Sequence, residues 1–164
     1  MTITHSDLCL ISEKFLIKNG FGVVFHDKFK ASTTSGEQPD CLGFRNRVSC
    51  LIECKTSRSD FIVDRKKKFR LDPSIGLGDW RFFLTPTGLI TPDELPSGWG
   101  LLETDGKRVK KVVGWPTNTD WINGKPFTGD KQGECDYMYS ALRRMVIRGH
   151  FKEVYDGMPV KELK

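Results

Sequence analysis

Long apolar runs are missing from this 164-residue chain. No stretch approaches the roughly 20 apolar residues that a transmembrane helix needs. The first residues also lack the basic and apolar regions of a signal peptide. We therefore expect a protein without membrane segments that works in the cytoplasm, for example of a bacterial or phage-infected cell. Internal repeats, linkers and low-complexity tracts are missing as well, and the length suits a single domain over residues 1–164.

Paired cysteines are missing too, which argues against a structural metal or a disulfide framework. The five cysteines are odd in number and form no C-x-x-C pair; they are Cys9, Cys41, Cys50, Cys54 and Cys135. A structural zinc site usually takes closely spaced Cys or His ligands. We therefore expect buried free thiols, with a zinc-stabilised structural protein as the less favoured alternative.

The excess positive charge is confined to one part of the chain. Residues 40–70 hold nine Lys or Arg and four Asp or Glu, which accounts for the whole net charge of +5. The rest of the chain holds 17 residues of each sign and is neutral. This concentration favours a polyanionic partner at residues 40–70, with nucleic acid as the first candidate. The alternative is that these charges form the solvent-exposed face of a basic helix and bind no partner.

Periodicity and turn residues predict both helices and strands. A first helix begins at Ser6 or Asp7 and ends near Asn19, and a basic helix runs from Ser57 to about Phe69. The other predicted elements are strands over 21–25, 41–44, 48–52, 80–85 and 88–90, a hairpin of 100–104 with 108–113, and a helix with an apolar stripe over 134–148. The composition of residues 114–133 predicts either a loop pinned by its aromatic side chains or a mobile flap.

The residues from Pro39 to Lys55 carry the strongest functional signal. Pro39-Asp40 is followed, after twelve residues, by Glu53-Cys54-Lys55 at the end of a predicted strand. Side chains alternate along a strand, so Glu53 and Lys55 point to one face and Cys54 to the other. If residues 41–44 form the preceding strand of a hairpin, Asp40 lies across from Glu53. Two carboxylates and an ammonium that converge on one point indicate a cation.

These residue types suit the hydrolysis of a phosphodiester. Magnesium prefers oxygen ligands and is commonly held by one or two carboxylates. Asp40 and Glu53 would supply these carboxylates to Mg²⁺ or Mn²⁺, and the backbone carbonyl of Cys54 would add a third oxygen. Lys55 would orient the attacking water or offset charge in the transition state. The alternative is that Lys55 is only a salt-bridge partner of Glu53.

Pro39-Asp40 with Glu53-Cys54-Lys55 resembles the hallmark of the PD-(D/E)XK, or restriction-endonuclease-like, nuclease superfamily. Residues 52–61, 64–66, 81–83 and 139–144 look most similar to the MmcB-like DNA-repair proteins. The resemblance implies an α/β fold with an α-β-β-β-α-β core, in which a central mixed sheet is flanked by helices. It also implies a metal held by Asp40 and Glu53, a catalytic Lys55, and Glu13 as the helix acid that often joins such a site.

The leading hypothesis is therefore a Mg²⁺- or Mn²⁺-dependent deoxyribonuclease, with endonucleolytic cleavage favoured, that acts in DNA repair, recombination or phage DNA processing. Nucleases that cut both strands often pair up, so a homodimer is one expected arrangement. The alternative is a catalytically inactive DNA-binding or interaction module of the same fold. In either case the basic helix would grip the DNA backbone through Arg58, Arg65, Lys66, Lys67, Lys68 and Arg70.

Overall fold

A computed structural model describes residues 2–157 as a mixed α/β fold with one central sheet. No helix within residues 2–157 has the length and apolar character needed to cross a membrane. The helices are α1 His5–Lys18, α2 Arg58–Asp64, α3 Lys68–Leu71, α4 Asp120–Asn123 and α5 Lys131–Ile147. The strands are β1 Val23–His26, β2 Cys41–Arg45, β3 Val48–Cys54, β4 Trp80–Pro86, β5 Gly100–Thr104 and β6 Val109–Val113.

The six strands lie in the sheet in chain order. Strands β1, β2 and β3 pair antiparallel, β3 to β5 pair parallel, and β6 closes the sheet antiparallel to β5. A two-residue turn at Asn46-Arg47 joins β2 to β3, and Arg47 adopts the left-handed conformation there, with φ 64°. The expected α-β-β-β-α-β order and the mixed sheet flanked by helices are confirmed.

Side-chain alternation along β3 divides the core into two layers. Cys50, Ile52 and Cys54 pack with α1 on one face of the sheet. Leu51 packs on the opposite face with the hydrophobic side chains of α2 and α5, among them Phe61. Because Glu53 lies between Ile52 and Cys54, its carboxylate belongs to the face that α2 covers. The sheet therefore sets where the predicted site residues point.

Helix α1 begins slightly earlier than the sequence predicts. Thr4 is its N-cap, and the Thr4 hydroxyl accepts a hydrogen bond from the backbone N–H of Asp7 at 3.2 Å. The carboxylate of Asp7 in turn accepts from the backbone N–H of Thr4 at 2.8 Å, which completes a capping box. The first helical turn therefore includes His5.

The predicted basic helix over 57–69 is wrong in its length. Ser57 caps α2 as expected, with its hydroxyl 3.2 Å from the backbone nitrogen of Asp60, but α2 ends at Asp64 and α3 begins only at Lys68. Helical neighbours are three or four residues apart, so an unbroken helix would not bring Asp64 and Arg70 together. The break lets Arg70 turn back and bond Asp64.

Two further expectations need correction. Residues 88–90 form a turn rather than a strand, with Gly88 in the left-handed region at φ 78°. Helix α5 is confirmed but begins at Lys131, and it buries Tyr137 and Glu134. The apolar stripe that predicts this helix stays about half exposed along Met138, Leu142, Met145 and Val146.

The segment over residues 114–133 is loop apart from the short helix α4 and the start of α5 at Lys131, and it is pinned by its aromatic side chains. The ring of Trp115 lies 4.8 Å from that of Phe15 and 5.0 Å from that of Trp121, centroid to centroid. Trp121 is buried in the α1 layer of the core. Phe127 lies under the buried guanidinium of Arg81, whose carbon is 4.0 Å from the ring centroid. The alternative of a mobile flap is not needed to explain this composition.

A buried polar network fixes the start of α5 to the sheet, and it yields a test of the fold. The carboxylate of Glu134 accepts from the hydroxyl of Ser49 at 2.6 Å and from the backbone N–H of Gly78 at 3.0 Å. We expect Glu134→Ala to lower the free energy of unfolding by about 2–3 kcal/mol, because these buried donors lose their acceptor. Urea denaturation monitored by circular dichroism measures this change.

The matched control is Glu153→Ala, which removes an exposed carboxylate 3.2 Å from His150. Its effect should stay within about 0.5 kcal/mol. Equal effects of the two substitutions would contradict a structural role for the buried network.

Candidate functional site

Asp40 lies where the sequence predicts it, across the hairpin from Glu53. It immediately precedes β2, and the next residue, Cys41, pairs with Ile52. One carboxylate oxygen of Asp40 accepts a hydrogen bond from the backbone N–H of Cys54 at 2.8 Å. The other lies 3.2 Å from Nε2 of His5. The side chain is 16% exposed, so Asp40 is the carboxylate through which the site meets solvent.

Glu53 and Lys55 emerge on the same face of β3, as the alternation of a strand predicts. The ammonium of Lys55 lies 3.3 Å from Oε2 of Glu53 and 3.2 Å from Oδ1 of Asp64. Burial disfavours the charged form of Lys55, but Glu53, Asp64 and Asp40 outweigh it and raise the pKa of the ammonium. Lys55 is therefore a cation held between carboxylates.

Cys54 points to the opposite face, also as predicted. Its Sγ atom lies 3.4 Å from the hydroxyl of Ser12 on α1. Burial raises the pKa of the Cys54 thiol well above its usual value, so the thiol stays protonated. What Cys54 offers the site is its backbone, whose N–H holds Asp40. Metal binding by its carbonyl stays a prediction.

Arg70 points inward, and the expectation that it projects outward toward DNA is wrong. Its guanidinium bonds Glu37, lies 2.8 Å from Oε1 of Glu53 and lies 2.9 Å from Oδ2 of Asp64. The side chain is 2% exposed, and its guanidinium carbon lies 4.8 Å from the ring centroid of Trp99. Burial disfavours its charged form, yet the three carboxylates raise the pKa of Arg70 further. The physical reason for the inward orientation is this set of buried acids.

Glu53 is the least satisfied carboxylate of this group. Burial and then the charge of Asp40 raise the pKa of Glu53 to about 8, although Arg70 and Lys55 act in the opposite direction. The nitrogen of Arg70 that approaches Glu53 makes no hydrogen bond of acceptable geometry, despite the short distance. A further cation close to Glu53 would therefore stabilise its ionised form.

Asp64 shows the opposite behaviour. Burial alone would favour its protonated form, but Arg70 and Lys55, with hydrogen bonds from Lys67 and Arg70, bring the pKa of Asp64 to about 2. Asp64 therefore stays ionised and anchors both cations, while Glu53 remains the carboxylate with capacity for another partner.

Sequence reasoning missed Glu37 and did not assign Asp64 to the site. Glu37 is fully buried and accepts a hydrogen bond from the backbone N–H of Leu77 at 2.7 Å. Nothing in the polar stretch 30–38 distinguishes it from a surface acid. Asp64 did carry a signal, since it lies three residues after the buried Phe61 and thus on the inner face of α2.

Glu13 lies beside the site rather than within its ion-pair network. Its Oε2 atom is 4.0 Å from Nε2 of His26, and it lines a groove with residues of β1 and α5. Burial and, less strongly, nearby groups that include Glu13 and Asp40 raise the pKa of the Cys41 thiol. A role of Glu13 in metal binding stays a prediction.

The remaining basic residues lie at the surface beyond the site. Arg65, Lys66 and Lys68 are exposed. Lys67 lies 2.8 Å from Oδ1 of Asp64 and is 44% exposed, so part of its charge is engaged. Arg58 is exposed as well but pairs with Glu94. The positive surface next to the buried carboxylates therefore rests chiefly on Arg65, Lys66 and Lys68.

Comparison with known families and with curated proteins gives no match. Among solved structures, the chain is similar to the SPO1766 protein of unknown function from Silicibacter pomeroyi. The two share 23% sequence identity over 93% of this chain and 94% of the other, with a TM-score of 0.58. This likeness shows that the fold recurs in another protein.

The raised pKa of Glu53 generates a test of the site electrostatics. A carboxyl group whose pKa rises on folding stabilises the protein at low pH and loses that contribution as pH increases toward its folded-state pKa. We expect the free energy of unfolding of the wild type, relative to Glu53→Gln, to fall between about pH 5 and about pH 8. Urea denaturation of both proteins across this range measures the difference.

Asp93→Asn is the matched control, because Asp93 is an exposed carboxylate whose hydrogen bond comes from Thr91 and not from this network. Its difference from the wild type should be nearly independent of pH over the same range. A constant difference for Glu53→Gln as well would mean that Glu53 keeps an ordinary pKa.

Proposed function

We propose that the protein is a metal-dependent DNA nuclease with a restriction-endonuclease-like domain, which hydrolyses phosphodiester bonds during DNA repair, recombination or phage DNA processing. The observation that carries the proposal is the convergence of Asp40, Glu53 and Lys55 at the end of the β2–β3 hairpin, next to exposed basic residues. The order of elements around the hairpin supports it.

The charge balance of the site fits a divalent cation. Three carboxylates form ion pairs there with three cations, and the adjacent Asp40 adds one negative charge in excess when all are ionised; the ion-paired residues are Glu37, Glu53 and Asp64 with Lys55, Lys67 and Arg70. The buried Arg81 is outside this group, because its guanidinium bonds backbone carbonyls. A divalent cation together with one phosphodiester adds one positive charge, which cancels that excess. Within residues 2–157, Oε2 of Glu53 accepts a hydrogen bond from Lys55 at 3.3 Å and Oε1 accepts none, so this carboxylate has capacity for a further partner.

Each site residue has a distinct task under this proposal. Asp40 and Glu53 would hold Mg²⁺ or Mn²⁺, joined by the carbonyl of Cys54. When bound, the metal supplies a water of lowered pKa and offsets the charge that develops on the phosphate. Lys55, fixed between Glu53 and Asp64, would orient the attacking water. Glu53 is aligned by the buried partners on either side of its carboxylate.

The exposed basic residues would hold the DNA backbone. Arg65, Lys66 and Lys68 surround the break between α2 and α3, and α2 is the first helix after the strand that carries Glu53. Contacts of this kind fix the position of a duplex or a single strand without reading its sequence. A homodimer would place two such sites on one DNA molecule, one for each strand of a duplex.

One observation favours the alternative of a DNA-binding module without catalysis. The side chain of Glu53 is only 4% exposed and already lies within 3.3 Å of Lys55 and 2.8 Å of Arg70. Two internal cations thus partly occupy the surroundings in which a metal would bind. A protein that kept these ion pairs for stability alone would show the same contacts.

Cleavage assays separate the two functions. We expect the wild type to cleave at least one of single-stranded, duplex and branched DNA in Mg²⁺ or Mn²⁺. Asp40→Ala and Lys55→Ala should each lower the rate by at least about 10²-fold, since each removes a group that acts on the metal or the attacking water. Products are resolved on denaturing gels.

Asp93→Ala and Lys107→Ala, which remove exposed charges elsewhere, should cleave like the wild type. If the wild type binds DNA but cuts none of the three substrates with either metal, the protein is a binding module. Cleavage that survives both site substitutions would refute the assignment of Asp40 and Lys55.

The salt dependence of DNA binding tests the basic surface. For duplex DNA the logarithm of affinity falls with the logarithm of salt concentration, with a slope of about 0.9 per phosphate contact. Neutralising Arg65, Lys66 and Lys68 together to Gln should reduce that slope by roughly 2–3. Fluorescence anisotropy at several salt concentrations measures the slope.

The control changes the same number of charges on the β5–β6 hairpin by converting the exposed Lys107, Arg108 and Lys110 to Gln. This control should leave the slope nearly unchanged. Equal reductions in both triple variants would show that net charge, rather than this surface, governs binding.

A further inference from the structure

Helix α1 brings a histidine and a cysteine together beside the candidate site. His5 and Cys9 are four residues apart, so they share one face of the first helical turns. The Sγ atom of Cys9 lies 3.6 Å from Nδ1 of His5 and 4.0 Å from its Nε2. Cys9 is fully buried, whereas the His5 side chain is 45% exposed, so the pair opens toward solvent on the histidine side.

A third potential ligand comes from a different element. Asp27 directly follows β1, and one ligand atom from each of His5, Cys9 and Asp27 lies within 4.8 Å of the others. Imidazole nitrogen, thiolate sulfur and carboxylate oxygen together suit Zn²⁺ and chemically similar transition metals, and they do not suit Mg²⁺.

Outer partners already orient two of the three ligands. Nε2 of His5 lies 3.2 Å from Oδ1 of Asp40, which leaves Nδ1, the nitrogen nearer to Cys9, for a metal. Nδ1 of His26 lies 3.1 Å from Oδ1 of Asp27 and 3.3 Å from the backbone nitrogen of Lys28, and with a proton on Nδ1 it donates to Asp27. Metal-binding histidines usually donate their second N–H to a carboxylate or carbonyl, and metal-binding carboxylates are commonly hydrogen-bonded in turn. These contacts are a separate observation from the clustering of the ligand atoms.

We propose that His5, Cys9 and Asp27 form a transition-metal site of the Zn²⁺ type, distinct from the Asp40–Glu53 site. Nδ1 of His5, the Cys9 thiolate and a carboxylate oxygen of Asp27 are the protein ligands, and the exposed side of His5 leaves a fourth position to water. The Cys9 thiol releases its proton to solvent when the metal binds. The proposal stands whether or not the protein cleaves DNA.

The two sites meet at Asp40. One of its oxygens is held by the backbone N–H of Cys54 on the nuclease side, and the other faces Nε2 of His5. A metal on Nδ1 of His5 makes the imidazole a stronger hydrogen-bond donor toward Asp40, because the metal withdraws electron density from the ring. Occupancy of the new site is therefore expected to fix the orientation of Asp40.

Cobalt(II) is the probe that reports both metal binding and the sulfur ligand. Chelator-treated protein titrated with Co²⁺ should bind about one ion per chain and develop a thiolate-to-cobalt charge-transfer band together with the visible bands of a tetrahedral ion. Cys9→Ser should abolish the charge-transfer band. His5→Ala should weaken Co²⁺ binding at least about 10-fold, and His26→Ala, which removes only an outer partner, about 10-fold.

Three matched proteins complete the experiment. Cys135→Ser and His150→Ala change an exposed cysteine and an exposed histidine outside the cluster, and both should keep the full spectrum. Glu53→Gln should also keep it, since the two sites have different ligands. Zn²⁺ should displace Co²⁺, while millimolar Mg²⁺ should not.

The proposal is overturned if Co²⁺ gives no thiolate band with the wild type or if the band survives Cys9→Ser. Because Cys9 is buried, Cys9→Ser could lose the band by unfolding. A second test therefore uses His5→Ala, which changes an exposed side chain. Zn²⁺ should raise the thermal midpoint of the wild type and leave that of His5→Ala unchanged. An equal rise in both proteins would likewise exclude His5 as a ligand.

Discussion

The guanidinium of Arg70 is the group on which the arrangement of the candidate site depends. It joins Glu37 from the loop before β2, Glu53 from β3 and Asp64 from the end of α2. These acids come from three separate parts of the chain, and all of them are buried. A buried charge without a partner costs several kcal/mol, about 3–5 when one member of a pair is removed. The three segments are thus held together by a requirement for charge compensation.

This requirement also explains the local backbone. Helix α2 ends at Asp64, and the extended backbone at Lys67 redirects the chain before α3. The interruption permits Arg70 to reach inward, and its guanidinium carbon lies 4.8 Å from the ring centroids of Phe69 and Trp99. Exposed basic side chains then occupy the outer side of the break. The break between α2 and α3 therefore places Arg70 in the buried network and also leaves the neighbouring basic side chains at the surface.

Local sequence patterns were sufficient for the part of the site that lies on the hairpin. The period of a strand places Glu53 and Lys55 on one face, and a short turn places Asp40 opposite Glu53. Both placements depend only on residues that are close in sequence. Arg70 and Glu37 are 33 positions apart in sequence, and no local pattern encodes their contact.

Local patterns do not encode contacts between distant residues, and this also explains the other differences between expectation and structure. The basic run 65–70 has the composition of an exposed helix, and only the buried acids draw Arg70 out of it. The apolar stripe of α5 correctly indicated a helix, but the helix buries Tyr137 and Glu134 and leaves Met138 and Leu142 about half exposed. Burial depends on which face meets the sheet, and periodicity within one helix does not determine that.

Alternation along β3 also separates two kinds of chemistry. The face toward α2 carries carboxylates, an ammonium and a guanidinium, which are groups that suit a hard cation and a phosphate. The face toward α1 carries Cys54 and, packed near it, Cys9, which are groups that suit a softer metal. Asp40 lies at the boundary, with one oxygen toward the backbone of Cys54 and the other toward His5. Because a carboxylate is rigid, fixing one oxygen restricts the other, so Asp40 can transmit a change on the α1 side to the carboxylate side.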